Sequence, residues 1–334
     1  MSNQRPTFIT IFLIIMGLLA FSFFTTGSLS DFAITVTSGL FQGMLLFLVA
    51  AGLSIVFGLM DVLNLAQGAY FMVGAYVGYE IHHWPALAQI VPDANLRFPV
   101  AIIVATLIGG ALGYLLERIL LRPLYDRPLF QLVVTFGVGL IFTEGVKFIW
   151  GVTPRAWRDT FGLLAGQFHI FEASFTTYRP FVIVVGLVLI VAIALFLRRT
   201  RTGIIIRAGV EDSEMVEALG INVRNVFTMI FALGCAIAAM GGAVAAPFFG
   251  ANIELGNQFL LAAVAVVVLG GLGSYEGTAI ASIIVGLAVA VVAQFVSSEA
   301  INQPVWASLT PMIVLALVLL LRPTGLFGKE RSHG

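Results

Sequence analysis

Long apolar segments follow one another along almost the whole of this 334-residue chain, and they constrain its fold more than any other feature. A helix that crosses the hydrocarbon core of a bilayer needs roughly 20 apolar residues. Because 60% of the residues are hydrophobic and only 10% are charged, against about 25% charged in a soluble domain, the chain must use lipid as its solvent. Ten segments are candidate spans: 8–25, 33–57, 67–81, 99–121, 129–150, 179–197, 226–247, 256–271, 276–296 and 304–321.

These segments predict an all-α fold, a polytopic transmembrane helical bundle of about ten spans in a single domain, residues 1–334. Segments 67–81 and 256–271 are short and lie beside glycine-rich or polar interruptions, which predicts short or broken helices. Spans two to five and spans seven to ten begin on opposite sides of the membrane, which is the parity of an inverted repeat. The longest loops are an outer one at about 151–179 and a cytoplasmic one at about 198–225.

The basic residues predict the orientation of the chain. With a cytoplasmic N-terminus and ten crossings, 12 of the 17 Lys and Arg residues fall on the cytoplasmic side, as the positive-inside rule expects. Both termini are then cytoplasmic. The net charge of zero leaves no global field to attract nucleic acid. The cytoplasmic set is Arg5, Arg118, Arg122, Arg127, Arg198, Arg199, Arg201, Arg207, Arg224, Arg322, Lys329 and Arg331.

No motif for catalysis or for a cofactor is visible in the sequence. The four histidines lack metal-ligand spacing, the single cysteine, Cys235, excludes a cysteine cluster, and no G-x-x-x-x-G-K-[ST] phosphate loop occurs. His82 and His83 are expected in an outer loop at the membrane interface. We therefore predict no enzyme, no metal site and no bound cofactor.

The cytoplasmic segment RAGVEDSEMVEALGINV (207–223) predicts a short amphipathic helix. Its acidic residues crowd the start, where the helix dipole favours negative charge, and a glycine follows as a C-terminal cap. Met215, Val216 and Leu219 share one face by helical spacing. Two interpretations stay open, a solvated connector or a docking helix for a groove on a soluble partner. The candidate docking residues are Glu211, Asp212, Glu214, Met215, Glu217, Ala218, Leu219 and Gly220.

Two further groups of residues are candidates for a transport path. The amides Gln42, Asn64 and Gln67, the last two where a helix is expected to break, either line a small-molecule path or make ordinary hydrogen bonds between helices. Glycines in VVVLGGLGSYEGTAIASIIVG (266–286) form either a cytoplasmic gate or hinge or a simple turn between helices. These candidate gate residues are Gly270, Gly271, Gly273 and Gly277.

Three G-x-x-x-G pairs predict close helix packing, within the bundle or at a subunit interface. A separate pair, Glu144 and Lys147, lies one helical turn apart with opposite charges and predicts an ion pair. The glycine pairs are Gly39/Gly43, Gly74/Gly78 and Gly109/Gly113.

Three stretches in order resemble a known family. The stretches GLSIVFGLMDVLNLAQGAYFMVGAY (52–76), RAGVEDSEMVEALGINV (207–223) and FLLAAVAVVVLGGLGSYEGT (259–278) are similar to branched-chain amino acid ABC transporter permeases of the LivH type. These permeases are inner-membrane components of binding-protein-dependent transport systems. The chain departs from them at Gln67, where many relatives carry His, and at Glu276, which affects substrate identity more than membership.

The resemblance implies a permease subunit that works with several partners. These are a second homologous permease subunit, a periplasmic substrate-binding protein that delivers the small-molecule substrate, and two cytoplasmic ATPase subunits that bind the ATP. The family's coupling helix maps onto about 211–220. Leucine, isoleucine, valine or related amino acids are the implied substrates, with urea or short-chain amides as the alternative. A rival from another class, an ion-coupled secondary transporter, needs ionisable groups in the middle of the membrane, and this chain places most of its charges at the boundaries.

Overall fold

The computed structural model describes residues 5–157, 161–170, 173–211, 213–298, 305–322 and 325–327. These residues form fourteen α-helices and one small antiparallel hairpin, which agrees with the predicted all-α class. The helices are α1 (Arg5–Thr26), α2 (Leu29–Met60), α3 (Gln67–His83), α4 (Pro85–Ile90), α5 (Ala94–Leu116), α6 (Pro128–Trp150), α7 (Gly162–Ala165), α8 (Tyr178–Arg199), α9 (Arg201–Glu211), α10 (Ser213–Ala218), α11 (Val223–Phe249), α12 (Glu254–Gly270), α13 (Tyr275–Ser298) and α14 (Val305–Leu321). The hairpin pairs β1 (Gln167–Ile170) with β2 (Ala173–Thr176) in the predicted outer loop, and Gln167 lies opposite Thr176.

Each of the ten predicted segments overlaps one of these helices, and segment 99–121 continues from α5 into a π-helical turn, Glu117–Leu121. Six of the described helices, α2, α5 with its following turn, α6, α8, α11 and α13, are long and apolar enough to cross a membrane. The apolar parts of α1, α12 and α14 are shorter, and α3 has 17 residues. The chain therefore has the helices of a multi-pass membrane protein, while ten crossings, their inverted repeat and the cytoplasmic termini stay predictions.

The chain divides into two compact units, each assembled from separate stretches of sequence. The terminal unit contains Met1–Phe47, Leu163–Gly186 and Ala262–Gly334. The central unit contains Leu48–Gly162 and Leu187–Leu261. A single transmembrane domain stays a prediction.

The core of the central unit is the packing of α3, α5 and α11. Small residues let these helices approach until their backbones touch. A β carbon added at Gly74 of α3 would lie 2.0 Å from the carbonyl oxygen of Ala239 on α11. One added at Gly109 of α5 would lie 2.3 Å from the Ala239 β carbon. Two of the G-x-x-x-G pairs therefore pack within the chain, as predicted.

The terminal unit uses the third pair in the same way. A β carbon at Gly39 of α2 would lie 2.8 Å from the α carbon of Leu287 on α13, and one at Gly43 would lie 2.8 Å from the carbonyl oxygen of Ser282. Helices α1 and α14 also pack against α13. The predicted close packing by Gly39 and Gly43 is confirmed.

The expected position of His82 and His83 is wrong. Both residues end α3 and do not lie in a loop. The His82 side chain is fully buried, and its ring lies 4.7 Å from that of Trp157 and 5.4 Å from that of Phe161. Sequence patterning misses this because the covering aromatic residues come from a loop more than 70 residues further along the chain.

Candidate functional site

The predicted docking segment forms α10 and the end of α9. Glu211 is the last residue of α9, so it does not begin a helix as expected. Asp212 and the side chains of Glu211 and Glu214 lie outside the described residues. The sequence did carry a signal for α9, since Thr200 Oγ1 accepts a hydrogen bond from the Gly203 N–H at 3.0 Å, as a helix N-cap does.

Helix α10 ends in the predicted glycine cap. Gly220 has φ 82°, in the left-handed region that glycine adopts without strain. Its N–H donates to the Glu217 carbonyl at 2.9 Å, and the Ile221 N–H donates to the Val216 carbonyl at 3.3 Å. These two bonds are the Schellman pattern that closes a helix, so the predicted C-terminal cap at Gly220 is confirmed.

The apolar residues of α10 do not share one face, which corrects that prediction. Val216 is buried, whereas Met215 is 63% and Leu219 is 74% exposed. Helical geometry groups Met215 with Leu219, because positions four apart stack on one face and the adjacent position turns away by about 100°. The packing of α10 against α9 and α11 decides that Val216 is the side chain that faces inward. Val216 packs inward and holds α10 against the protein. Met215 and Leu219 face outward, with the exposed Glu217 and Ala218 beside them. This exposed surface suits contact with another protein.

Asn64 and Gln67 occupy a break between α2 and α3, where the sequence predicted one. Asp61, just after α2, has φ 56°. The Asn64 Nδ2 donates to Gln67 Oε1 at 3.0 Å, and Gln67 Nε2 donates to the Gly234 carbonyl at 2.9 Å. Both side chains are fully buried, so the hydrogen bonds between helices that were weighed as the alternative are present. A path role for Asn64, Gln67 and the half-buried Gln42 stays a prediction.

We expect Gln67→Leu to lower the stability of the protein, because it leaves the buried Gly234 carbonyl and the Asn64 amide without this partner. The cost should be about 1–3 kcal/mol. Thermal unfolding in detergent measures it. Thr143→Val is the control, since that hydroxyl donates to the Gly139 carbonyl within its own helix. An unfolding temperature for Gln67→Leu equal to that of the control would contradict the expected cost.

The glycine-rich segment forms a tight turn between α12 and α13. Gly271 and Gly273 have φ 98° and 83°, and a β carbon at Gly277 would lie 2.1 Å from the Gly270 carbonyl oxygen. The C-terminal segment closes this turn, because the Leu326 N–H donates to the Leu269 carbonyl at 2.8 Å. The turn is confirmed, and its role as a gate or hinge stays a prediction.

Glu144 and Lys147 form an ion pair near the end of α6. The Lys147 Nζ lies 2.7 Å from a Glu144 carboxylate oxygen, so the predicted ion pair is confirmed.

Glu117, which no sequence pattern singled out, is fully buried in a π-helical turn after α5. It accepts a hydrogen bond from the Tyr125 hydroxyl. Burial, together with this bond, raises the pKa of Tyr125, which keeps the phenol protonated as a donor.

Comparison with known proteins identifies the class of protein, which the geometry of the site alone leaves open. Residues 35–321 match the family model described as branched-chain amino acid transport system / permease component. The chain belongs to this family. It is therefore a transport permease and not an enzyme, and the resemblance carried by segments 52–76, 207–223 and 259–278 is confirmed.

Individual relatives cover most of this permease. The high-affinity branched-chain amino acid transport system permease protein LivH of Salmonella typhimurium is 31% identical over 87% of this chain and 94% of its own. The corresponding BraD protein of Pseudomonas aeruginosa is 29% identical over 88% of this chain and 95% of its own. A solved structure, PsaBC from Streptococcus pneumoniae in complex with Fab, covers 87% of this chain and 92% of that chain at 14% identity, with a TM-score of 0.43.

Proposed function

We propose that this permease is the transmembrane subunit of an ABC importer that moves branched-chain or related amino acids across the bacterial inner membrane. The family match over residues 35–321 carries the proposal. The names of LivH and BraD, which match this chain along almost their full length, supply the substrate class.

In this proposal the energy comes from two cytoplasmic ATPase subunits that bind the ATP, and the permease holds no cofactor. Helix α10 is the element that the ATPases contact. Its exposed Met215 and Leu219 offer apolar contact, and Glu217 offers a charge between them. Because α10 packs against both α9 and α11, a displacement of α10 would pass into a long helix of the central unit.

The same proposal includes the remaining partners of the permease. A second homologous permease subunit completes the translocation path, and a periplasmic binding protein delivers substrate to the outer loop at about 151–179. We propose Gln42, Asn64 and Gln67 for the path and Gly270, Gly271, Gly273 and Gly277 for the gate. Both termini lie in the cytoplasm in this arrangement.

Substrate uptake by the assembled transporter tests the proposed substrate class. Proteoliposomes containing the permease, its second permease and its ATPases, supplied with the cognate binding protein and ATP, should accumulate labelled leucine. Excess isoleucine and valine should compete, whereas urea and acetamide should not. Accumulation of urea or acetamide without accumulation of leucine would replace the amino-acid assignment by the amide one.

A further inference from the structure

A groove on the lateral surface of the central unit lies between α5 and α6, with α3 at its base. It encloses an apolar cavity of about 520 Å³. The buried Val73 and Val77 of α3 form the base, while Ile108 of α5 and Ile141 of α6 stand exposed at the two rims. A membrane protein presents such an open apolar surface to lipid, so an acyl chain is the chemistry that fits it.

The groove has the length of one leaflet of a bilayer. Its residues on α6 run from Ile141 to Trp150, which is about 14 Å along a helix that rises 1.5 Å per residue. The hydrocarbon core of a bilayer is about 30 Å thick, so one leaflet supplies about 15 Å. A single acyl chain lying along α6 would therefore extend from the middle of the membrane to its surface.

Glu80 lines one end of the groove beside Trp150, and Arg155, which does not line the groove, contacts the same tryptophan. Tryptophan is typical of the membrane–water interface, and Trp150 lies at this end. The Trp150 Nε1 donates to Glu80 Oε2 at 3.1 Å. The Trp150 carbonyl accepts a hydrogen bond from Arg155 Nη2 at 3.4 Å. A carboxylate and a guanidinium beside one tryptophan complement a headgroup that carries both an ammonium and a phosphate.

We propose that this groove binds one phospholipid with a primary ammonium headgroup, of the phosphatidylethanolamine type. One acyl chain fills the space between Ile108 and Ile141, the ammonium lies at Glu80, and the phosphate lies at Arg155. A primary ammonium can donate three hydrogen bonds, whereas the trimethylated ammonium of phosphatidylcholine can donate none. A phosphatidylglycerol headgroup carries no cation, so Glu80 disfavours it.

Native mass spectrometry of the purified full-length permease tests the headgroup assignment. The protein is titrated with dioleoyl phosphatidylethanolamine, phosphatidylcholine or phosphatidylglycerol. We expect phosphatidylethanolamine to bind roughly tenfold more tightly than the other two, the effect of one hydrogen bond to a charged group. Glu80→Gln, at an exposed position, should remove this preference. Equal affinity of the wild type for the three lipids would show unspecific contact and overturn the proposal.

Two glycines of α6 provide a matched pair that tests the groove itself. Gly145 lines the groove, Gly137 does not, and no atom lies within 4 Å of a β carbon added at either. Gly145→Phe should fill the groove and weaken binding of phosphatidylethanolamine roughly tenfold, by displacing apolar chain contacts. Gly137→Phe should bind as the wild type does. Equal binding by the two variants would overturn the proposal.

The second permease is the competing occupant of the groove. The same titration on the assembled transporter separates the two, because a lipid site stays occupied after assembly. Loss of the bound phosphatidylethanolamine on assembly would make the groove a subunit interface and overturn the lipid assignment.

Discussion

Gly74→Ala is expected to unfold the central unit or to leave it too unstable to purify. The added methyl group would lie 2.0 Å from the Ala239 carbonyl oxygen and 2.5 Å from the Ala239 α carbon. Both atoms belong to backbone inside α11, so no side chain can rotate to make room. Helix α3 must then move away from α11, and we expect a loss of about 3 kcal/mol, at the upper end for overpacked cores. The yield of monodisperse protein and its unfolding temperature measure the effect.

Gly137→Ala is the control for this prediction. It makes the same change in α6, where no atom lies within 4 Å of the new methyl group. Alanine should stabilise that helix by up to about 1 kcal/mol, because it has the higher helix propensity. If Gly74→Ala unfolds at the temperature of Gly137→Ala, the close contact between α3 and α11 is not what holds the central unit together.

Leu219→Arg is expected to separate ATP hydrolysis from uptake. Leu219 is 74% exposed, so its replacement should change the stability of the permease by no more than about 0.5 kcal/mol. A charged arginine within the proposed contact would cost about 2 kcal/mol or more, as the loss of an anchor residue does in other protein interfaces. Uptake should then fall at least about tenfold. Rates of uptake and of ATP hydrolysis are measured together in proteoliposomes.

Two further variants define the surface of α10. Glu217→Arg reverses an exposed charge, and Gly220→Arg places a side chain at φ 82° and so disturbs the Schellman cap. Both should reduce uptake while the permease still inserts into the membrane. Leu129→Arg, which changes another exposed leucine at the start of α6, should transport normally. Normal uptake by Leu219→Arg, Glu217→Arg and Gly220→Arg would contradict the role of α10.

Features that depend on local sequence could be predicted. Apolar length placed a helix at each of the ten segments, since a helix satisfies its own backbone hydrogen bonds in lipid. Glycine spacing predicted close packing at α3 and α5, although it could not say that α11 is the partner or that Ala239 lies opposite Gly74. The Gly220 cap and the Glu144–Lys147 pair were predictable because each involves residues within one or two turns.

Features that depend on distant residues were missed. Gln67 was a candidate for a path because an amide beside a broken helix can line one. Its hydrogen-bond acceptor, the Gly234 carbonyl, could not be named because it lies 167 residues away. His82 was predicted to lie in a loop, because the sequence does not show that the distant aromatic residues Trp157 and Phe161 pack against its ring. The stripe predicted on α10 failed because Val216 packs inward and Leu219 does not, a distinction that depends on where α11 lies.

The energy source of transport tests the account most directly. Leucine uptake is measured in proteoliposomes under two conditions: the permease alone with a proton or sodium gradient, and the full assembly of both permeases, ATPases and loaded binding protein with ATP. We predict uptake only in the full assembly, with strict dependence on ATP. Uptake by the permease alone, driven by the ion gradient, would contradict the account and identify a secondary transporter.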